Sequence, residues 1–244
     1  MRKILFIVAT HGDEGYSVDV LRELEQSHSK TKYNYNWIIG NPRALEANKR
    51  FIDCDMNRAA PGKKHSRLYE EARVADIIAN TQDYDIVIDI HGSPSECGIT
   101  TLIPLPNIQN IRLAGSFGIN HNVIWFSRRS QVNGPIVQHT NCPAIEIECG
   151  PKNSPKVAKQ LLELLQHFLE ANLTSDILQD TDLGQDQKFF EVYGKCSSFD
   201  GDADLRDFNI ATKDNESFYP YLSNTYAGIA CYKARLYIPE NAHI

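Results

Sequence analysis

Three apolar runs in this chain end abruptly in side chains that bind metals or move protons. Residues 3–10 run into His11-Gly12-Asp13-Glu14. Ile86-Val87-Ile88-Asp89-Ile90 runs into His91-Gly92, and residues 144–148 end at Glu146-Ile147-Glu148-Cys149-Gly150. Short apolar runs bounded by glycine read as strands covered on both faces, and such strands need helices above and below them. Residues 18–24 have helical spacing, and residues 68–78 read as an amphipathic helix with Leu68, Ala72, Ala75 and Ile78 near one face. Residues 155–171 are predicted helical, with Ser154 as N-cap and Val157, Leu161, Leu165 and Phe168 as the buried stripe. Further strands are expected at 35–39, closed by the turn Gly40-Asn41-Pro42, and at 99–105 and 123–126. The alternation implies an α/β fold with a largely parallel or mixed sheet flanked by helices.

After about residue 172 the texture changes. Residues 174–187 are polar and acidic, and β-like runs at 189–192 and 229–238 alternate with turn-rich stretches. The expected division is a catalytic α/β domain over 1–173 and a small C-terminal β appendage over 174–244. Hydrophobic residues at 42% and charged residues at 23% are ordinary for a globular chain and exclude a disordered one. A net charge of −6 argues against a broad nucleic-acid surface. The longest N-terminal apolar run, residues 4–9, is too short to span a bilayer and has no cleavage pattern after it, so it is expected to be a strand rather than a signal peptide. Six scattered cysteines without a CxxC pair are expected as free thiols, which makes the cytoplasm the default address.

In open α/β sheets, sites form just beyond the carboxyl ends of strands. Two imidazoles and one carboxylate there make a catalytic zinc set with a position left for water. His11 and Glu14, three apart in a tight turn, can converge on one ion, and His91 can close the set from a neighbouring strand. Asp89, two residues earlier, is a candidate partner for His91. A lone HxxE recurs by chance; the weight lies in four such residues falling together at strand ends.

Arg50-Phe51-Ile52-Asp53-Cys54-Asp55-Met56-Asn57-Arg58 resembles the R-x-x-D-x-D-x-N-R segment of the succinylglutamate desuccinylase/aspartoacylase family, a branch of the zinc carboxypeptidase-like hydrolases. Asn41-Pro42-Arg43-Ala44 resembles its N-P-R-A turn. His11-Gly12-Asp13-Glu14 resembles its H-G-x-E, Asp89-Ile90-His91 its D-x-H, and Glu148-Cys149-Gly150-Pro151 its E-x-G-P. The resemblance runs from residue 1 to about 151. It implies one zinc held by His11, Glu14 and His91, with Glu148 as the general base activating the metal-bound water. It further implies that Arg50 polarises the scissile carbonyl, that Asn57 and Arg58 hold the substrate carboxylate, and that Tyr232 corresponds to a substrate-contacting tyrosine. The implied enzyme is a zinc-dependent amidohydrolase of small N-acyl amino acids, with the C-terminal appendage capping the site and crowding its channel.

Other readings stay open at this point. Arg50 and Arg58 can be solvated charges paired with Asp53 and Asp55, Glu146 is the rival base, and Tyr232 can be a core tyrosine. A zinc peptide carboxypeptidase shares the metal set, and a non-catalytic metal-binding protein would keep the ligands. A cysteine hydrolase using Cys149 or Cys97 lacks an evident histidine partner. The expected partner is a small-molecule N-acyl amino acid, not nucleic acid or membrane, with a homo-oligomer left open. The resemblance also implies an arginine shortly before E-x-G-P that reads a side-chain carboxylate in aspartoacylases, and residues 130–147 here hold no arginine or lysine. A neutral substrate side chain is therefore expected, unless Arg128, Arg129 or His139 reaches the pocket.

Overall fold

The computed structural model describes residues 1–126, 134–179, 183–184, 186–198 and 205–239. Its strands are β1 (Ile4–Val8), β2 (Tyr35–Ile39), β3 (Ile86–Gly92), β4 (Gly98–Ile103), β5 (His121–Ile124), β6 (Ala144–Gly150), β7 (Lys188–Cys196), β8 (Ala211–Lys213), β9 (Glu216–Tyr221) and β10 (Cys231–Tyr237). The helices are α1 (Tyr16–Ser27), α2 (Lys30–Tyr33), α3 (Pro42–Glu46), α4 (Tyr69–Thr81), α5 (Ile108–Ser116) and α6 (Pro155–Thr174). The sheet order is β2-β1-β3-β6-β4-β5-β7-β10-β9-β8. β2, β1, β3 and β6 are parallel neighbours, whereas β4 runs antiparallel to β6. This is the expected mixed α/β sheet flanked by helices.

Alternation along the central strands explains the layering. Ile4, Phe6 and Val8 of β1 join Ile86, Ile88 and Ile90 of β3 in a core covered by α1, α5 and α6. Leu5, Ile7 and Val87 face the other way, against Val74 and Ile77 of α4. The α6 stripe is as expected: Ser154 caps the helix by accepting from Val157 N–H, and Val157, Leu161, Leu165 and Phe168 are buried. Each of the larger side chains contributes roughly 1.5–3 kcal/mol by leaving water.

Two expectations about the elements are corrected, and the C-terminal strands prove to continue the main sheet. Helix α4 buries Glu70, Val74, Ile77 and Thr81, while Leu68 is its N-cap and exposed. The inward stripe is thus offset from Leu68-Ala72-Ala75-Ile78, and a carboxylate leads it. Strands β8 and β9 and helix α5 were not expected. Strand β9 contains Pro220, which ordinarily speaks against a strand. β8 pairs with β9 only from Glu216 to Phe218, so on that side Pro220 has no ladder bond to lose. Finally, the C-terminal strands are continuous with the main sheet, because β7 pairs in parallel with β5.

Candidate metal centre and active-site cleft

On β3 the side chains of Val87, Asp89 and His91 share the α4 face of the sheet, and on β6 those of Ala144, Glu146 and Glu148 do the same. The register sets Asp89 beside Glu146 and His91 beside Glu148. Sheet alternation alone therefore puts four ionisable groups on one face at the carboxyl end.

The fifth and sixth come from the turn after β1. Ala9 has a positive φ of 50°, a conformation disfavoured for a residue with a Cβ, and it swings the chain out of the strand. Gly12 lies against α3, where an added Cβ would sit 2.1 Å from the Ala44 carbonyl carbon. Only glycine fits there. The turn closes with Glu14 N–H donating to the His11 carbonyl at 3.1 Å, which brings both side chains to the same side.

His11 Nδ1 is 2.9 Å from Glu14 Oε1, and His91 Nδ1 is 3.3 Å from Glu14 Oε2. Ligand atoms of His11, Glu14 and His91 all lie within 4.8 Å of one another, and the three residues are buried. The far nitrogens face carboxylates: His11 Nε2 lies 3.2 Å from Asp55 Oδ1, and His91 Nε2 lies 3.1 Å from Asp89 Oδ2. Metal-ligating histidines are oriented in this way by a carboxylate on the other nitrogen. Glu14 Oε2 is buried without a hydrogen-bond partner. A buried carboxylate oxygen left over between two imidazoles suits a divalent cation, and the His-Glu-His donor set suits zinc.

The electrostatics follow from the crowding. Burial works against the Glu14 carboxylate, but the charge and hydrogen bond of His11, with His91 close by, hold it at about 2. Burial opposes charge on His11 and His91 too, yet Glu14 and Asp55 raise the one, and Asp89 with Glu14 and Glu146 raises the other. Glu148 goes the opposite way: burial, reinforced by Glu14 and Glu146, pushes it up to about 8 against the pull of His91. Cys149 points to the opposite face of β6, into the helix-covered core, and burial pushes its thiol up to about 12. Cys149 is thus buried away from the cleft.

A cleft of about 1140 Å³ opens over the centre. His11, Glu14, Arg50, Asn57, Arg58, His91, Glu146, Glu148 and Tyr232 all line it. Arg50 bonds Asp55 Oδ2 at 3.2 Å, and Arg58, mostly exposed, bonds the same oxygen at 2.8 Å. Asp55 therefore pairs with both arginines, as one reading allowed, but Asp53 does not; it accepts from the Tyr69 N–H at 2.7 Å. Asn57 Nδ2 donates to Glu146 Oε1 at 2.9 Å. The facing wall brings Leu102, Trp125, Tyr226 and Lys195 into the lining.

None of these wall residues was expected from the sequence, and neither was the contact of Asp55 with His11. Asp55 had a signal, since it stands two residues before Asn57 in the motif; the wall residues sit in no motif. His139 lies outside the cleft lining, and burial lowers its pKa. Arg128 and Arg129 fall outside the described residues.

The model of the Succinylglutamate desuccinylase/Aspartoacylase catalytic domain matches residues 1–172. The chain belongs to the succinylglutamate desuccinylase/aspartoacylase family. A probable aspartoacylase of Prochlorococcus marinus subsp. pastoris (strain CCMP1986) is 27% identical over 110 residues, 42% of this chain and 37% of that protein. Another, of Trichodesmium erythraeum (strain IMS101), is 23% identical over 198 residues, 71% of this chain and 68% of that protein. The match to the first thus spans 37% of that relative's length. The crystal structure of murine aminoacylase 3 superposes with a TM-score of 0.75 at 15% identity, covering 96% of this chain and 95% of that one. At that identity the likeness is one of fold. Among the described residues, no helix is long and apolar enough to cross a membrane.

Proposed function

We propose that this chain is a zinc-dependent amidohydrolase that removes an acyl group from a small N-acyl amino acid. The observation that carries the reading is the meeting of His11, Glu14 and His91 in one buried cluster, with Glu148 beside His91 in the register and the Arg50–Arg58 groups on the same cleft. A zinc ion held by those three residues would polarise the substrate carbonyl and lower the pKa of an attacking water to about 7. Glu148, whose carboxylate form the charge of a cation at this centre would favour, takes the proton from that water and delivers it to the leaving amine nitrogen. Arg50 faces the carbonyl oxygen and stabilises the negative charge that develops there. Asn57 and Arg58 hold the substrate's carboxylate, the guanidinium as a planar fork. Asp55 orients His11 and both arginines at once, and Tyr232 closes the cleft from the β10 side.

We assign the catalytic role to residues 1–173 and the capping role to 174–244. Strands β7 and β10 bring Gly194, Lys195 and Tyr232 to the cleft lining, which favours small acyl amino acids over the peptide tails of a carboxypeptidase. A cytoplasmic location accords with the free thiols among the cysteines. The test is metal analysis of the purified protein together with a hydrolysis panel of N-acyl amino acids and short peptides. One zinc per chain with turnover confined to the acyl amino acids supports the reading; peptide turnover alone would replace it with a carboxypeptidase.

A further inference from the structure

Residues 50–58 carry most of the substrate-facing groups, yet apart from a 3₁₀ turn at Met56–Arg58 the segment has no regular structure. Irregular backbone lacks ladder partners, and its shielded N–H groups must find acceptors elsewhere. Three in succession find the same one. Glu70, fully buried in the first turn of α4, accepts from Ile52 N–H at 2.6 Å on Oε1, and from Asp53 and Cys54 N–H at 2.9 and 3.2 Å on Oε2. Its Oε1 also accepts from Asn41 Nδ2 at 3.0 Å.

Asn41 is anchored in turn. Its N–H donates to the Ala9 carbonyl at the end of β1 at 3.0 Å, and its side-chain oxygen caps α3 through Ala44 N–H at 3.1 Å. Asp53 answers the clamp from the other side by accepting the Tyr69 N–H. Hydrogen bonds therefore run from the end of the strand that leads into His11, through Asn41 and Glu70, to the backbone between Arg50 and Asp55. At its start the segment touches the metal turn directly, where Gly12 N–H donates to the Arg50 carbonyl at 3.2 Å.

None of these four donors to Glu70 is a cation. Its charge is held by amide dipoles at a helix N-terminus, where negative charge is favoured. Such a pocket accepts oxygen and rejects N–H: a glutamine amide would set a donor against Ile52 and Asn41, or against Asp53 and Cys54.

We infer that Glu70 is a positioning residue that sets the path of residues 50–58, and through it the aim of Arg50, Asn57 and Arg58, without touching substrate. The inference rests on the substrate roles proposed above for those three residues. The test compares Glu70→Gln, Glu70→Asp and the remote core variant Leu165→Ala, all zinc-loaded. Two readouts are taken: kcat and KM for N-acetyl-leucine, and amide hydrogen exchange.

Glu70→Gln is expected to keep its zinc, to exchange faster in 50–58 but not in 86–92, and to lose about tenfold to a hundredfold in kcat/KM, the scale of an ångström-sized misplacement. Both kcat and KM should change, since Arg50 and the Asn57–Arg58 pair serve different steps. Glu70→Asp, which keeps the charge but shortens its reach, should fall between, and it carries the test if the glutamine variant does not fold. Leu165→Ala should lower Tm and leave both readouts unmoved. Unchanged exchange in 50–58 overturns the clamp, and a loosened segment with unaltered kcat and KM overturns its role. If the wild type hydrolyses no N-acyl amino acid, the deacylase reading fails separately and the exchange result alone decides whether Glu70 holds the segment.

Discussion

The two sides of the cleft are built in different ways. The metal side consists of parallel strand ends and one tight turn, with His11, Glu14 and His91 each no more than 3% exposed. The facing wall comes from β5, β7 and β10 and the loops around them, where Phe126, Tyr193 and Tyr226 are exposed and Lys195 sits over the ring of Tyr232 at 5.6 Å. On the first side, side-chain direction is dictated by strand alternation and a glycine that tolerates no substitute. On the second, the β7–β10 register shifts between Lys233 and Ala234, so direction cannot be counted along the strand. The buried donor cluster is set by sheet geometry within a few strands, whereas the wall is set by pairings between distant strands.

The comparison breaks most visibly if the metal side is not a metal site. His11→Ala, Glu14→Ala and His91→Ala are each expected to remove most of the bound zinc, because two remaining ligands lose both affinity and geometry. Elemental analysis that found full occupancy in all three would end the assignment. The same change at a wall residue such as Tyr232 should leave zinc content as it is.

Glu148→Gln should keep zinc and fold while losing activity on the order of a hundredfold or more, because the proton acceptor is gone and the shape is not. Glu146→Gln should cost less, since Glu146 is held by Asn57. Side-by-side kinetics in which the two effects were reversed would move the base to Glu146.

The contrast between the two sides also decides what could be read from sequence. Strand ends carrying His91 and Glu148 were legible because apolar runs and a period of two locate them without tertiary information. Asp89 was placed beside His91 on the same reasoning. Helix α4 was legible as a helix but not in its orientation: alanines at 72 and 75 fit either side of the stripe, and a glutamate is not expected to lead a buried face. Glu70 turns inward because the irregular 52–54 backbone supplies three donors, and that compensation exists only in three dimensions. Trp125, Tyr226 and Lys195 converge from distant stretches in the same way, through pairings of β5 with β7 and β7 with β10 that no local pattern announces.

Arg58 stands at the junction of the two sides. Its side chain is 72% exposed, and its contact with Asp55 Oδ2 is worth little as a surface ion pair. Its value would lie in substrate recognition. Arg58→Lys should therefore leave Tm unchanged and raise KM several-fold across N-acyl amino acids, because an ammonium cannot present a planar fork. An unaltered KM would remove Arg58 from carboxylate binding.

The smallest effect expected is selectivity, and it tests the wall alone. Leu102, Trp125, Tyr226 and Tyr232 give the facing side an aromatic and apolar lining, with Lys195 as its cation among the described residues. Lys195 is exposed, so water screens its charge and it cannot match a buried arginine in holding a second carboxylate. Desolvating the β-carboxylate of N-acetyl-aspartate against aromatic rings costs free energy that this lysine returns only in part. A neutral N-acetyl amino acid should therefore show the higher kcat/KM, by about tenfold or 1.4 kcal/mol of transition-state discrimination. Lys195→Ala should widen that gap by depressing the aspartate substrate while leaving the neutral one near its wild-type value. If aspartate were preferred and the preference vanished in Lys195→Ala, the lysine would be the reader of the second carboxylate. A preference for aspartate that survived the substitution would place that reader elsewhere in the cleft.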